Sequence, residues 1–144
     1  MKKLLACLFA AVGLFVFAAC GTSNGAGKTV ANVIKEENRV IITIEEVDGE
    51  PTLLDVMNDL KDGGKLTFTV LADGMVASIE GKENAADWSA VWMLYTTDSE
   101  MADASFSIEW QGENCGSAVV GAGALPVLAG ERYIWYYKSF EKVN

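Results

Sequence analysis

Three kinds of residue in this chain have types and spacing that could carry chemistry: a run close to a phosphate-binding loop, isolated thiols, and many carboxylates. The run GTSNGAGKT (residues 21–29) ends in Gly27, Lys28 and Thr29, as a phosphate cradle does. Such a cradle needs G-x-x-x-x-G-K-[ST], so that successive backbone N–H groups converge on the phosphates. The first glycine would fall at position 22, where Thr22 stands, and Gly21 is one residue early. A phosphate loop also follows a buried strand and opens a helix, and neither pattern flanks this run. The chain has no histidine. That removes Ser–His–Asp and Cys–His sites, histidine metal ligation and histidine proton transfer. Carboxylate pairs, as in glycosidases, stay chemically open, yet no spacing singles out one pair among 20 acidic residues. Glu36–Glu37 and Glu45–Glu46 are too scattered for a calcium loop. The expectation is a protein that binds rather than catalyses, with no metal and no cofactor.

The thiols lead to the N-terminus. Lys2 and Lys3 form a short positive segment, and Leu4 to Phe17 is an uncharged apolar run followed by small residues. That is the layout of an export signal, and the run is short for a membrane-spanning helix. Ala18, Ala19, Cys20 and Gly21 resemble a bacterial lipobox, with Phe17 where leucine is usual. The resemblance implies cleavage before Cys20 and lipidation of its thiol. Residues 1–19 then read as a lipoprotein signal peptide and 20–29 as a lipid-anchored flexible tether. About nine glycine- and serine-like residues reach roughly 15–18 Å, enough to lift a domain off the headgroups. The expected location is the extracytoplasmic face of a bacterial membrane. Cys7 lies within the signal, so Cys115 remains without a partner for an internal disulfide.

Setting aside residues 1–19 leaves 125 of the 144 residues, the size of one domain with a proper core. It also removes two lysines, leaving nine basic against 20 acidic residues, a balance of −11. Such a charge disfavours nucleic acid and anionic lipid as partners and suits solubility at an exposed surface.

The elements that would position any site follow from periodicity. RVIITIEEV (39–47) reads as a strand with Val40, Ile42 and Ile44 on one face, and TVANVI (29–34) as a weaker strand before it. PTLLDVMNDLKDGG (51–64) reads as a helix: Thr52 caps, Asp55 answers it, and Leu53, Val56, Met57 and Leu60 form an apolar stripe. LTFTVL (66–71) and MVASIEG (75–81) form a hairpin around Asp73-Gly74, with Leu66, Phe68 and Val70 facing inward. Residues 82–90 form a loop bearing Trp88, and VWMLYT (91–96) forms a strand. SFSIEW (105–110) alternates, placing Phe106, Ile108 and Trp110 in the core. Residues 117–131 are a long small-residue connection, and RYIWYYKSF (132–140) closes the domain. One helix packed across a mixed or antiparallel sheet is an α+β arrangement, and the helix directly after the first hairpin suggests a β-grasp-like layout over residues 30–144.

Several of these pieces together resemble the bacterial surface-domain family similar to the C-terminal domain of transcobalamin, in the soluble-ligand-binding β-grasp group. Thr52, Leu53, Leu54, Asp55 and Val56 match its T-[LV]-L-D-[AV] helix start. Gly74, Val76, Ala77, Ser78, Ile79, Glu80 and Gly81 match its G-x-[VY]-[TA]-S-I-[NE]-G hairpin. Trp92, Met93, Leu94 and Tyr95 follow its W-x-[FY]-Y strand, with Leu94 in an aromatic slot. Gly130, Glu131, Tyr133, Trp135 and Tyr137 match its closing strand. The resemblance spans roughly residues 39–140 and implies binding of a small ligand, with cobalamin or another corrinoid as the family's example. Two departures stand against a corrinoid. Thr97 and Asp98 begin a longer excursion than the family shows, and the helical partner domain that completes a cobalamin site in transcobalamin is absent from this sequence.

Aromatic residues are the candidate binding groups. In the last strand Tyr133, Trp135 and Tyr137 share one face and Ile134 and Tyr136 the other. One face packs on the helix, and the other exposes large side chains unless residues 117–131 lie over it. Exposed aromatics suit flat ligands and partner hot spots. The leading expectation is a ligand patch made by Trp88, Trp92, Tyr95 and Trp135. The alternative is a cell-surface protein-interaction or structural module without a small ligand, in which the aromatic face is a second core.

Overall fold

The computed structural model describes residues 28–141. The expected signal peptide (1–19), the expected lipidation site Cys20 and most of the expected tether (20–29) lie outside the described residues, as do residues 142–144. The described chain runs β1 (Val30–Lys35), β2 (Arg39–Glu46), α1 (Leu53–Asp62), β3 (Phe68–Val70), β4 (Val76–Ile79), β5 (Lys82–Glu83), β6 (Ala90–Thr96), β7 (Ala102–Trp110), β8 (Glu113–Ala118) and β9 (Arg132–Ser139). Six strands form one sheet in the order β1-β2-β9-β6-β8-β7, and β3-β4-β5 form a small second sheet. Every strand pairing among the described residues is antiparallel. The fold is thus a sheet-dominated α+β arrangement with a single helix. Among the described residues no helix is long and apolar enough to cross a membrane.

The helix forms where its signals stand. Thr52 is the N-cap, its hydroxyl accepts from Asp55 N, and the Asp55 carboxylate accepts from Thr52 N at 2.8 Å. Leu53, Val56, Met57 and Leu60 are its buried stripe. They pack with Val40, Ile42 and Ile44 of β2 and with Tyr133 and Trp135 of β9 in one core. The helix therefore covers the aromatic face of β9, because pairing sets Ile42 opposite Tyr133 and Val40 opposite Trp135.

The connection after β8 covers the rest of that face. Ala122, Leu125 and Val127 join the same core. Leu53 N donates to Leu125 O at 2.8 Å and Leu54 N to Ala122 O at 3.0 Å. The connection thus satisfies helix N–H groups that have no partner within the helix. Tyr133 ties it down from below: its hydroxyl accepts from Leu128 N at 3.0 Å and donates to Pro126 O.

Three sequence expectations fail locally. Phe106 is not core but 68% exposed. Between Asp103 and Ser107, β7 advances four residues while β8 advances one, so Phe106 sits in a bulge outside the ladder. Val70 is exposed because a register shift between Thr69 and Val70 turns it outward. Residues 113–118 are strand β8, not turn and connection. The opposite face of the large sheet carries its own small core of Ile41, Tyr95, Trp110, Cys115 and Ile134.

Candidate functional site

The four sequence-nominated aromatics do not form one surface. Antiparallel pairing of β6 and β9 sets Trp92 opposite Tyr137 and Leu94 opposite Trp135. Trp92, Leu94 and Trp135 therefore share the helix-side face. The period of two turns Tyr95 to the other face, where it packs with Ile134 and Trp110. Burial pushes the Tyr95 phenol up from its ordinary pKa, with Tyr136 adding to the effect. Trp88 lies apart again, on the loop between β5 and β6.

Trp92 and Trp135 line a cleft of about 320 Å³. Three stretches of chain build it. The β3–β4 turn and the start of β4 supply Met75 and Val76, the sheet supplies Trp92, Leu94 and Trp135, and the end of β8 with the start of the connection supplies Ser117 to Ala122. Met75 and Val119 are exposed on its rim, whereas Trp92 and Trp135 are 7% and 5% exposed. None of the residues lining the cleft carries a charge.

The two indoles differ in one respect. Trp92 Nε1 donates to Lys82 O at 2.7 Å, and its ring meets Tyr137 edge-on at 5.2 Å. Asn84 fixes the same residue by accepting from Trp92 N at 2.9 Å and donating to Val76 O. Trp135 Nε1 is buried and has no hydrogen-bond partner. A buried donor without a partner costs about 1–3 kcal/mol and calls for an explanation. The sequence could nominate Trp135 as aromatic, but nothing in it marked the indole as unpartnered.

Trp88 lines a different, half-open recess of about 220 Å³ with Thr69, Leu71, Ala77, Glu83, Asn84, Ala85 and Ala86. Its side chain is 55% exposed and its φ is +61°. A bulky residue in the left-handed region is a conformational outlier. The loop holds it there: Trp88 N donates to Ala85 O at 2.9 Å, and Ser89 N and Oγ both donate to Asp87 Oδ1. The β3–β4 hairpin separates the two sites, with Leu71 on the Trp88 side and Met75 on the Trp135 side.

Among the described residues no three His, Cys, Asp or Glu side chains stand close enough to hold a metal. Cys115 is fully buried, and burial pushes its thiol above the ordinary value. No protein-family model, curated protein or solved structure matches this chain.

Proposed function

We propose that this protein is a lipid-anchored, extracytoplasmic binding protein, held by Cys20, whose β-grasp-like domain captures a small neutral ligand in the cleft of Trp92, Leu94 and Trp135. The observation that carries the reading is the concave, uncharged cleft walled by the buried indoles of Trp92 and Trp135; the second indole has no partner for its N–H. Ligand sites are mostly apolar concavities with a few placed polar groups. A ligand that brings a carbonyl, ether or hydroxyl oxygen would suit this donor once side-chain movement uncovers it. The uncharged lining favours a neutral acceptor over a carboxylate, which would enter without a counter-charge. A cleft of about 320 Å³ lies at the small end of ligand sites. A corrinoid would therefore rest only an edge in it.

The alternative is a surface protein-interaction module. What favours it is the exposure of Leu71, Met75, Trp88 and Val119 around the β3–β4 hairpin, together with the sealing of the rest of the aromatic face by residues 122–127.

The test uses the full chain, labelled with ¹⁵N at its four tryptophans and held in a maltoside detergent. Cyclohexanone, N-methylpyrrolidone and cobinamide are titrated separately. The proposal expects the Trp135 indole peak to move saturably with at least one probe, and Trp135→Phe to abolish that binding. No movement of this peak with any probe up to about 1 mM, the range of the weakest useful affinities, would reject ligand capture and leave the interaction module.

A further inference from the structure

We propose that the recess beside Trp88 is a second binding site, for an alkylated ammonium group. This inference is independent of the cleft at Trp135. Three observations converge on it. Trp88 presents an exposed indole from a backbone conformation that a tryptophan does not favour, and such outliers gather at functional positions. Glu83 lines the same recess, and its carboxylate makes no hydrogen bond or ion pair among the described residues. None of the residues lining the recess is basic.

The chemistry of the ligand follows from these groups. An indole face is electron-rich and attracts cations, most strongly when they are poorly hydrated. The methyl groups of a trimethylammonium disperse its charge and contact the Ala77, Ala85 and Ala86 wall. Glu83 supplies the counter-charge. A primary ammonium would lose more hydration and gain less from the alanines. An anion would meet Glu83 and a chain with a net charge of −9, which repels it and draws cations in. The nearest lysine in sequence is occupied elsewhere: Lys82 Nζ reaches Asn38 and stands 4.7 Å over the Tyr137 ring.

The site is rigid where it needs to be. Asn84 bridges Val76 and Trp92, and Tyr137 Oη donates to Glu83 O at 2.9 Å. These bonds fix the backbone of Glu83 and Asn84, while the Glu83 side chain stays available.

The ligand could be a free solute or the headgroup of a lipid, and the experiment separates them. The ¹⁵N-tryptophan-labelled full chain in maltoside detergent is titrated with tetramethylammonium, choline, glycerophosphocholine and 3,3-dimethylbutanol, the uncharged analogue of choline. The Trp88 indole peak is identified by its loss in Trp88→Phe. The expected result is a saturable shift of this peak with tetramethylammonium and choline and none with dimethylbutanol. Glu83→Gln should weaken choline binding about three- to tenfold, and Trp88→Ala should abolish it while the other three indole peaks stay in place. A response to glycerophosphocholine equal to that for choline supports a headgroup. A response lost when the phosphate is added supports a free solute. A Trp88 peak that does not move, or moves equally with dimethylbutanol, overturns the proposal. Because the Trp135 peak reports separately on the cleft, failure at either site is read without reference to the other.

Discussion

The indole Nε1 of Trp110 lies 3.5 Å from Glu36 Oε1, although β7 and β1 are the two opposite edges of the six-stranded sheet. Glu36 follows β1, and Trp110 ends β7. Two edges can meet only if the sheet curls. The pairing of β6 with β8 shows where: it is confined to Tyr95–Ser117 and Thr96–Gly116. Beyond those pairs the β7–β8 hairpin leaves the ladder and folds over the face that carries Ile41, Tyr95 and Ile134. Arg132 supports the fold-over, pairing with Glu113 and standing 5.6 Å over the Trp110 ring.

Trp110 is therefore the keystone of the second core. Trp110→Ala should cost about 3–5 kcal/mol, the range for emptying a buried tryptophan site. Glu36→Gln should change stability by less than about 0.5 kcal/mol, because a 3.5 Å contact at the surface contributes little. Urea unfolding of both variants checks this. A cost below about 1 kcal/mol for Trp110→Ala would mean that the hairpin does not depend on it.

Gly116 is the other requirement of the curl. A Cβ there would stand 2.8 Å from Ala102 Cβ and 3.0 Å from Asp103 O. Backbone oxygen cannot yield cheaply, so β7 and β8 approach too closely for any side chain at this position. Gly116→Ala should destabilise by about 1–3 kcal/mol, the usual cost of overpacking. Gly121→Ala is the control, since its Cβ would meet nothing within 4 Å. Thermal unfolding of the pair should separate them by several degrees.

Local signals were legible and non-local ones were not. The capping box at Thr52 and Asp55, the stripe of α1 and the alternation of β2 all depend on near neighbours, and each stands as the residues suggest. Strand β8 was missed because Glu113 to Ala118 lacks β-branched residues. It becomes a strand through its pairing with β7. Phe106 was misjudged because a three-residue excess on β7 leaves no mark in the alternation. The candidate sites show the same division. That aromatics matter was readable, and the period of two alone sets Trp92 and Tyr95 on opposite faces, but grouping Trp92 with Trp135 needed the β6–β9 register.

Cys115 should behave as a silent thiol in the folded protein. It is 0% exposed, its Sγ stands 3.8 Å from Glu113 O, and burial holds its thiol above the ordinary value. The nucleophile is the thiolate, so both access and ionisation oppose reaction. Iodoacetamide treatment followed by peptide mapping should find Cys115 unmodified in buffer and modified in urea. Modification in buffer at the rate of a free thiol would show that the β7–β8 hairpin opens readily.

The helix cap gives a pH dependence of known sign. Donation from Thr52 N, and then the Thr52 hydroxyl, lower the Asp55 pKa. A lowered folded-state pKa means that the contribution is present above the unfolded value of about 3.9. It is lost as pH falls through the folded value. The stability difference between the native chain and Asp55→Asn should therefore be constant near neutrality and shrink below about pH 4. Thr52→Ala should cost about 1 kcal/mol. Urea unfolding between pH 3 and pH 7 checks both. A difference that grew on acidification would contradict the assigned cap.

The last prediction compares two buried indoles. Trp92→Phe and Trp135→Phe remove similar volumes from positions that are 7% and 5% exposed. They differ in what the lost N–H was doing. Trp92 Nε1 serves Lys82 O, so its loss strands a carbonyl. Trp135 Nε1 serves no protein acceptor, so its loss removes an unsatisfied donor. In the ligand-free protein Trp92→Phe should therefore be the more destabilising by about 1–3 kcal/mol. Urea unfolding of the two variants under identical conditions measures the difference. A Trp135→Phe cost equal to that of Trp92→Phe would mean that the Trp135 donor already has a partner, such as a buried water. A ligand would then have to displace that partner, and the affinity expected from a free donor would not be available to it.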